Sequence, residues 1–122
     1  MCILIMKNKQ LGNSGEKAIQ KFLEKNKFKI IASNYKSKWG EIDIIAQKKD
    51  LISFIEVKTR KTAYFPISQV VNYTKQQKII KTAKMYIQRH NIYNKICRFD
   101  VATVLLSGNS FDIEYIENAF QE

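Results

Sequence analysis

The sequence predicts a single α/β domain whose elements follow the order α, β, β, β, α, β, β. Two stretches repeat apolar residues at the spacing of an amphipathic helix, and five shorter runs are either apolar or alternate apolar with polar residues. A chain of 122 residues with 45% hydrophobic residues, one proline and four glycines has the length and composition of an ordinary globular domain. We therefore expect one domain over residues 1–122, with residues 1–10 flexible.

The first helix is predicted to begin near Asn13 or Ser14, either of which can cap a helix N-terminus, and to end near Asn26. Glu16 would then lie in the first turn, where a carboxylate complements the helix dipole. An apolar stripe at helical spacing supports the helix and consists of Ala18, Ile19, Phe22 and Leu23.

A first strand over residues 28–32 is expected to continue irregularly towards Trp39, through a basic loop that contains Lys36 and Lys38. A basic loop with an aromatic side chain suits stacking on unpaired or distorted nucleic acid. A tryptophan is also commonly packed in a core or at its edge. The sequence leaves both roles open for Trp39.

Two neighbouring strands, residues 40–46 and 54–60, are predicted from apolar runs on either side of the polar stretch 47–50. The polar stretch indicates a hairpin with one of the longer loops. Because side chains alternate along a strand, Glu56 and Lys58 share one face of the second strand.

Asp43 and Glu56 form the candidate metal site of this hairpin. A turn centred near Lys49 and Asp50 places Asp43 opposite Glu56, and directly opposed like charges destabilise a sheet. A divalent cation would remove this penalty, and two carboxylates with nearby carbonyl oxygens suit Mg²⁺, which commonly works on phosphate. Lys58 would face the same bound group as a compact positive charge.

An irregular basic segment follows at residues 59–66, where Pro66 argues against a continuous strand or helix. Loops beside a catalytic strand are candidates for substrate contacts, and Arg60 and Lys61 lie at this position. Arg60 is expected to face away from Lys58 if the strand persists.

A second helix is predicted over residues 74–90, with one apolar face formed by Ile79, Ile80, Ala83, Tyr86 and Ile87. The opposite side carries lysines spaced three apart, namely Lys75, Lys78, Lys81 and Lys84. These lysines suit contacts with phosphates, or they form an ordinary solvated face. Both readings stay open.

Two further strands complete the domain, one over residues 98–106 and an edge strand over residues 111–116 that alternates apolar with polar residues. A turn at residues 107–110 joins them. Asp100 is either the structural partner of a basic group or a neighbour of the site, and the pattern does not decide between these roles.

The charge balance suggests a polyanionic partner. The chain carries 21 basic and 11 acidic side chains, a net charge of +10. Because 18 of the basic residues are lysines, compositional bias is an alternative source of the charge. The candidate contacts to nucleic acid are Lys36, Lys38, Arg60, Lys61, Lys75 and Lys78.

Other function classes have less support from the composition. No apolar stretch approaches the roughly 18 to 20 residues of a membrane span, so we expect a cytoplasmic protein with no membrane partner. Cys2 and Cys97 lie far apart and outside any metal-binding motif, which argues against zinc and against a disulfide. His90 is the only histidine and is expected to be a surface residue.

The hairpin residues resemble a known signature. Asp43, followed after a twelve-residue gap by Glu56, Val57 and Lys58, is similar to the PD-(D/E)xK signature of the restriction-endonuclease-like superfamily, with Ile42 in the place of its proline. More narrowly, residues 11–120 resemble the YraN-like family of small bacterial proteins. The matching residues are Gly15-Glu16, Asn34-Tyr35, Gly40-Glu41-Ile42-Asp43, Phe54-Ile55-Glu56-Val57-Lys58-Thr59-Arg60, Val71, Lys78, Ala83, Arg98-Phe99-Asp100-Val101 and Asn118-Ala119-Phe120.

The resemblance implies a restriction-endonuclease-like fold, a central mixed β-sheet flanked by helices, with a layout similar to archaeal Holliday-junction resolvases. It implies an endonuclease that depends on Mg²⁺ or Mn²⁺ and hydrolyses DNA, with branched or structured DNA as the substrate class. A homodimer would fit two symmetrical cuts. The metal ligands would be Asp43, Glu56 and the backbone carbonyl of Val57; Lys58 and Glu16 would be catalytic, and Gln77 and Lys78 would support the site.

Two other functions remain as alternatives. The first is a nucleic-acid-binding protein that keeps the fold without turnover, for which DNA affinity would not depend on a metal. The second is a small interaction partner in DNA processing, which would bind DNA weakly. Fold alone cannot choose between them, because function is carried by the site.

Overall fold

The computed structural model of the chain describes residues 8–60 and 71–122. These two described ranges form two helices and five strands in the predicted order, and the predicted fold class is confirmed. The elements are α1 (Asn8–Lys25), β1 (Lys29–Ser37), β2 (Gly40–Lys48), β3 (Leu51–Arg60), α2 (Tyr73–Arg89), β4 (Ile96–Ser107) and β5 (Ser110–Phe120). Among the described residues, neither helix is long and apolar enough to cross a membrane.

The five strands form one mixed sheet in the order β1-β2-β3-β4-β5. All neighbouring strands are antiparallel except β3 and β4, which are parallel and are joined by the crossover that contains α2. Each face of the sheet is covered by apolar side chains and one helix, α2 on one face and α1 on the other. This double cover explains why β3 is almost continuously apolar between Ile52 and Ile55.

The β2–β3 hairpin has the predicted centre but a shorter loop. Pairing runs from Lys48 opposite Leu51 to Ile44 opposite Ile55, so the turn consists of Lys49 and Asp50 alone. The expectation of a longer loop was wrong, because the polar ends of both strands still pair in the sheet. Lys49 takes a left-handed conformation with φ of 54°, which a two-residue hairpin turn commonly requires.

Helix α1 begins at Asn8, several residues before the predicted start. Asn13 and Ser14 are therefore inside the helix and do not cap it, and the first turn contains no acidic residue. The dipole role expected of Glu16 is wrong for the same reason, since Glu16 lies well inside the helix. The expected flexible start at residues 1–10 falls partly on residues 1–7, outside the described part, whereas residues 8–10 belong to α1.

Close packing against the sheet stabilises α1 at Gly15. Gly15 is buried, and a Cβ atom added there would lie 1.8 Å from Oγ1 of Thr59 on β3. Only glycine permits this approach, and it brings the next residue, Glu16, towards the sheet. Because Thr59 faces α1, its neighbours Lys58 and Arg60 both face the other side. β3 does continue through Arg60, but residues two apart on a strand share a face, so the expectation that Arg60 faces away from Lys58 was wrong.

The remaining elements agree with the predictions except at their ends. Strand β1 continues to Ser37 with an irregular register between Ile30 and Ala32. Helix α2 is capped by Asn72, whose side-chain Oδ1 accepts a hydrogen bond of 2.9 Å from the backbone N of Lys75. Four of the five predicted apolar residues of α2 are buried, namely Ile79, Ile80, Ala83 and Tyr86, while Ile87 is half-buried. Strand β5 extends to Phe120, beyond the predicted end.

Asp100 has a structural role. Its side chain is completely buried and accepts hydrogen bonds from Arg98 Nε at 2.8 Å and Arg98 Nη2 at 2.9 Å. It also accepts from the Tyr115 hydroxyl at 2.6 Å, from the Asn118 backbone N at 2.9 Å, and from the Ser53 hydroxyl. A buried charge is tolerated when it is paired and hydrogen-bonded in this way. Asp100 thus links β3, β4 and β5.

Candidate active site

The candidate site lies where β2 and β3 stop pairing. The last pair of their ladder is Ile44 opposite Ile55, so Asp43 and Glu56, which the sequence predicts to pair, are the next residues of the two strands beyond the paired part. Beyond this point the Asp43 carboxylate takes the place of a strand carbonyl, since its Oδ2 accepts a hydrogen bond of 2.8 Å from the backbone N of Val57. This bond fixes the orientation of Asp43 beside Glu56.

Glu56 is a buried carboxylate in contact with a second one. Only 7% of its surface is exposed. Burial is the largest cause that raises the pKa of Glu56 to about 8, followed by the negative charge of Asp43 and by a hydrogen bond between the two carboxyl groups. The nearby Lys75 charge acts in the opposite direction. Two carboxyl groups this close can share a proton or a cation, but both cannot be ionised without a large penalty.

Glu16 adds a third carboxylate from α1. Burial first, and then the charges of Asp43 and Glu41, raise the pKa of Glu16 to about 7. With its amide nitrogen turned towards these acids, Asn34 donates to Glu16 Oε1 at 3.2 Å and to Glu41 Oε1 at 3.1 Å. Asn34 itself has φ of 53°, a left-handed conformation that asparagine tolerates. The structure therefore brings Glu16 to Asp43, as the family resemblance implied.

Lys75 lies at the carboxylate pair. Its Nζ is 3.3 Å from Oε2 of Glu56. Within the described part of the chain, this Oε2 atom is buried and has no well-aligned hydrogen bond, so the ammonium group is its compensating contact. The sequence predicts Lys75 as part of a stripe of lysines that either contacts phosphates or forms an ordinary solvated face. No local pattern indicates the pairing, because it depends on how α2 crosses the sheet.

Lys58 follows Glu56 on the same face of β3 and is half-buried. Its backbone lies opposite Thr103 of β4, so the central sheet determines its position. Arg60 is also half-buried, and Gln77 is half-buried on α2 near the start of the helix. Lys61 lies outside the described residues.

The predicted basic loop between β1 and β2 adjoins the middle of α2, and it is shorter than expected because Lys36 and Ser37 belong to β1. The Ser37 and Thr82 hydroxyls are 2.7 Å apart, and a Cβ atom added to Gly40 would lie 3.8 Å from Cβ of Lys78. Lys36, Lys38 and Lys78 are exposed, while Trp39 is half-buried. The Nζ atom of Lys38 is 4.8 Å from the centre of the Trp39 ring. Exposed lysines therefore lie on two elements that contact each other, the end of the β1–β2 hairpin and α2.

The donor set fits a hard divalent cation. Within residues 8–60 and 71–122, no three His, Cys, Asp or Glu side chains are arranged to hold a metal ion. Mg²⁺ does not require three, because it keeps several waters and is usually bound through one or two carboxylates. Asp43 and Glu56 supply two carboxylates, and the buried Glu56 Oε2 atom has no hydrogen-bond partner among the described residues apart from its ionic contact with Lys75. The residues present are thus suited to Mg²⁺ or Mn²⁺.

Sequence comparison gives the family. The model of the uncharacterised protein family UPF0102 matches residues 15–104, which include Glu16, Asp43, Glu56, Lys58 and Lys75. A UPF0102 protein of Alkaliphilus metalliredigens is 46% identical over 114 residues, covering 93% of this chain and 99% of the relative. A UPF0102 protein of Clostridium acetobutylicum is 44% identical over 117 residues, which cover 93% of this chain and 96% of the relative.

A third relative comes from a different genus. A UPF0102 protein of Dictyoglomus thermophilum is 47% identical over 118 residues, covering 94% of this chain and all of the relative. The matches extend over nearly the whole length of each protein, so they include both helices and the sheet. They confirm the resemblance to the YraN-like family. The chain belongs to the uncharacterised protein family UPF0102.

Proposed function

We propose that this protein is a metal-dependent endonuclease that hydrolyses phosphodiester bonds of DNA. The observation that carries the proposal is the contact of the Asp43 and Glu56 carboxylates at the end of the β2–β3 ladder, with Lys58 next along the same face. A buried pair of like charges is unfavourable in a protein that only has to fold. A bound divalent cation would offset the repulsion between the two carboxylates and could act on a phosphate group.

The ion would be held by Asp43, Glu56 and the backbone carbonyl of Val57, and when bound it would polarise the phosphate and lower the pKa of a water molecule. Asp43 is held in place for this role by the Val57 N–H. Lys58 would orient the attacking water or stabilise negative charge on the phosphoryl oxygens. Glu16, with a pKa of about 7, is suited to accept or donate a proton near neutral pH. Gln77 and Lys78 would support the site from α2.

DNA would bind through exposed basic groups without reading its sequence. Lys36 near the end of β1, Lys38 in the turn after it and Lys78 of α2 are exposed, and the net charge of +10 favours a polyanion. Binding of this kind weakens steeply as salt rises. We propose branched or structured DNA as the substrate class, a homodimer as the form that makes paired cuts, and the cytoplasm as the setting.

Cleavage of labelled DNA tests the proposal. Linear, single-stranded, flap and four-way-junction substrates would be incubated with Mg²⁺ or Mn²⁺ and wild type, Asp43→Asn or Lys58→Met. Asp50→Asn is the matched control, because Asp50 is an exposed aspartate in the turn of the same hairpin. We expect cutting that requires metal, that both site substitutions abolish and that Asp50→Asn retains. Cutting by folded Asp43→Asn at the wild-type rate would refute the proposal.

One observation favours the non-catalytic alternative. Lys75 already lies 3.3 Å from the Glu56 carboxylate, so the pair is partly neutralised without a metal. A nucleic-acid-binding protein that has no turnover would need nothing more. It would bind DNA with the same affinity in EDTA and in Mg²⁺ and would cut none of the four substrates, an outcome that separates it from the nuclease.

A further inference from the structure

We propose that Lys75 is an internal counter-ion of the site, which a divalent cation must displace before it can bind Glu56. The proposal rests on the metal-dependent function above and adds a regulatory role for one side chain. Lys75 would then have two positions, one on Glu56 when metal is absent and one turned towards solvent when metal is bound.

The geometry makes Lys75 the direct competitor of a metal. Its ammonium nitrogen is 3.3 Å from Glu56 Oε2, the oxygen that has no aligned hydrogen bond within the described residues. A magnesium ion bound to the same oxygen would lie at about 2.1 Å from it. Two cations cannot share that oxygen without strong repulsion, because the surroundings are largely buried and screen charge poorly.

The side chain of Lys75 is free to make this movement while its backbone is not. The Lys75 side chain is 45% exposed, whereas Glu56 is 7% exposed. The backbone N of Lys75 is held by Asn72 Oδ1 at 2.9 Å, within the capped first turn of α2. Release of the ammonium group therefore requires rotation of a long flexible side chain and leaves the helix in place.

The released ammonium group would be exposed near a second exposed lysine of the same helix. Lys78 is exposed one turn further along α2, and the basic loop packs beside it. Metal binding would thus make an additional lysine available to DNA. The two binding events become coupled through Lys75, and such coupling is reciprocal.

Metal affinity tests the displacement without any need for catalysis. The affinity of Mn²⁺ would be measured by calorimetry and by the electron paramagnetic resonance signal of free Mn²⁺, for wild type, Lys75→Met and Lys81→Met. Lys81 is the matched control, an exposed lysine two turns along α2. We expect Lys75→Met to bind Mn²⁺ about tenfold more tightly, because the competing charge is gone, and Lys81→Met to match wild type.

The outcomes separate this inference from the proposed function. Equal Mn²⁺ affinity of wild type and Lys75→Met would overturn the displacement and leave the nuclease proposal standing. Absence of Mn²⁺ binding in wild type and both variants would overturn the two together. Thermal unfolding of each variant establishes that it is folded, and Lys75→Gln serves in its place if Lys75→Met does not fold.

DNA binding gives a second readout that a merely structural ion pair would not produce. With no metal, Lys75 is engaged with Glu56, so Lys75→Met should leave the affinity for a four-way junction within about twofold of wild type. With Ca²⁺ present as the metal that supports DNA binding, Lys75→Met should bind the junction several-fold more weakly than wild type. Equal weakening in both conditions would mean that Lys75 contacts DNA regardless of metal, and it would overturn the proposal.

Discussion

Replacing Glu56 by glutamine should stabilise the metal-free protein at high pH. The pKa of Glu56 is raised from 4.5 to about 8, mainly by burial and then by Asp43. Between these two values the folded protein keeps the proton while the unfolded chain releases it. The contribution of Glu56 to the free energy of unfolding is therefore fully present below about pH 4.5 and is lost as the pH rises towards 8.

The expected size of this loss follows from the shift. One unit of pKa corresponds to about 1.4 kcal/mol, so the shift corresponds to roughly 5 kcal/mol as an upper bound. Water and the flexible Lys75 reduce the cost of ionising Glu56. We therefore expect the free energy of unfolding of the wild type to fall by about 2 to 5 kcal/mol through Glu56 as the pH rises. In Glu56→Gln the side chain at this position is neutral at every pH, so the position contributes no loss of unfolding free energy as the pH rises.

Denaturant unfolding in EDTA at pH 5.5 and pH 8.5 measures the effect. The free energy of unfolding would be compared for wild type, Glu56→Gln and Glu24→Gln, an exposed glutamate on α1 that serves as the control. The drop between the two pH values should be at least about 2 kcal/mol smaller in Glu56→Gln than in the other two proteins. Equal drops in all three would refute the reasoning that burial beside Asp43 holds the proton on Glu56.

Three further predictions concern the site and its supports. Saturating Mg²⁺ at pH 8 should raise the midpoint of thermal unfolding of wild type and not that of Asp43→Asn, because ligand binding to the folded state stabilises it; an equal rise in both would contradict the metal site. Gly15→Ala should destabilise the protein by about 1 to 3 kcal/mol, since its Cβ would lie 1.8 Å from Thr59 Oγ1. Chemical denaturation measures the free energy of unfolding, with Ser14→Ala as the control, and equal stabilities of the two variants would contradict the close packing. Asp100→Asn should cost about 3 to 5 kcal/mol by breaking the buried pair with Arg98 and should leave Mn²⁺ affinity unchanged; a large change in that affinity would place Asp100 in the site.

The hairpin shows what the sequence can predict and why. Alternation along a strand is a local rule, so the shared face of Glu56 and Lys58 follows directly from their spacing. The centre of the turn then sets the register up to Ile44 opposite Ile55, and Asp43 and Glu56 follow next on the two strands. The loop length was wrong, because polar residues at strand ends can pair as well as turn. The facing of Arg60 was also wrong, because Lys58 and Arg60 are two residues apart on one strand.

Other features could not be predicted because they depend on contacts between distant elements. The contact of Lys75 with Glu56 joins the start of α2 to the centre of the sheet, and no spacing along the chain records it. The position of Gly15 is similar, since it lies inside α1 and packs on Thr59 of β3, although Asn13 and Ser14 just before it favour a helix start. Tertiary contacts decide these positions, and local propensity does not.

Cleavage of a four-way junction across a titration of Mg²⁺ is the most direct test of the central claim, that the Asp43 and Glu56 pair holds a metal for phosphodiester hydrolysis. Wild type, Asp43→Asn and the control Asp50→Asn would be compared at equal concentration after their folding is verified. The account predicts a rate that saturates with Mg²⁺ for wild type and Asp50→Asn, and a loss of more than about 100-fold for Asp43→Asn. A folded wild type that binds the junction tightly and leaves it uncut at every Mg²⁺ concentration would contradict the claim.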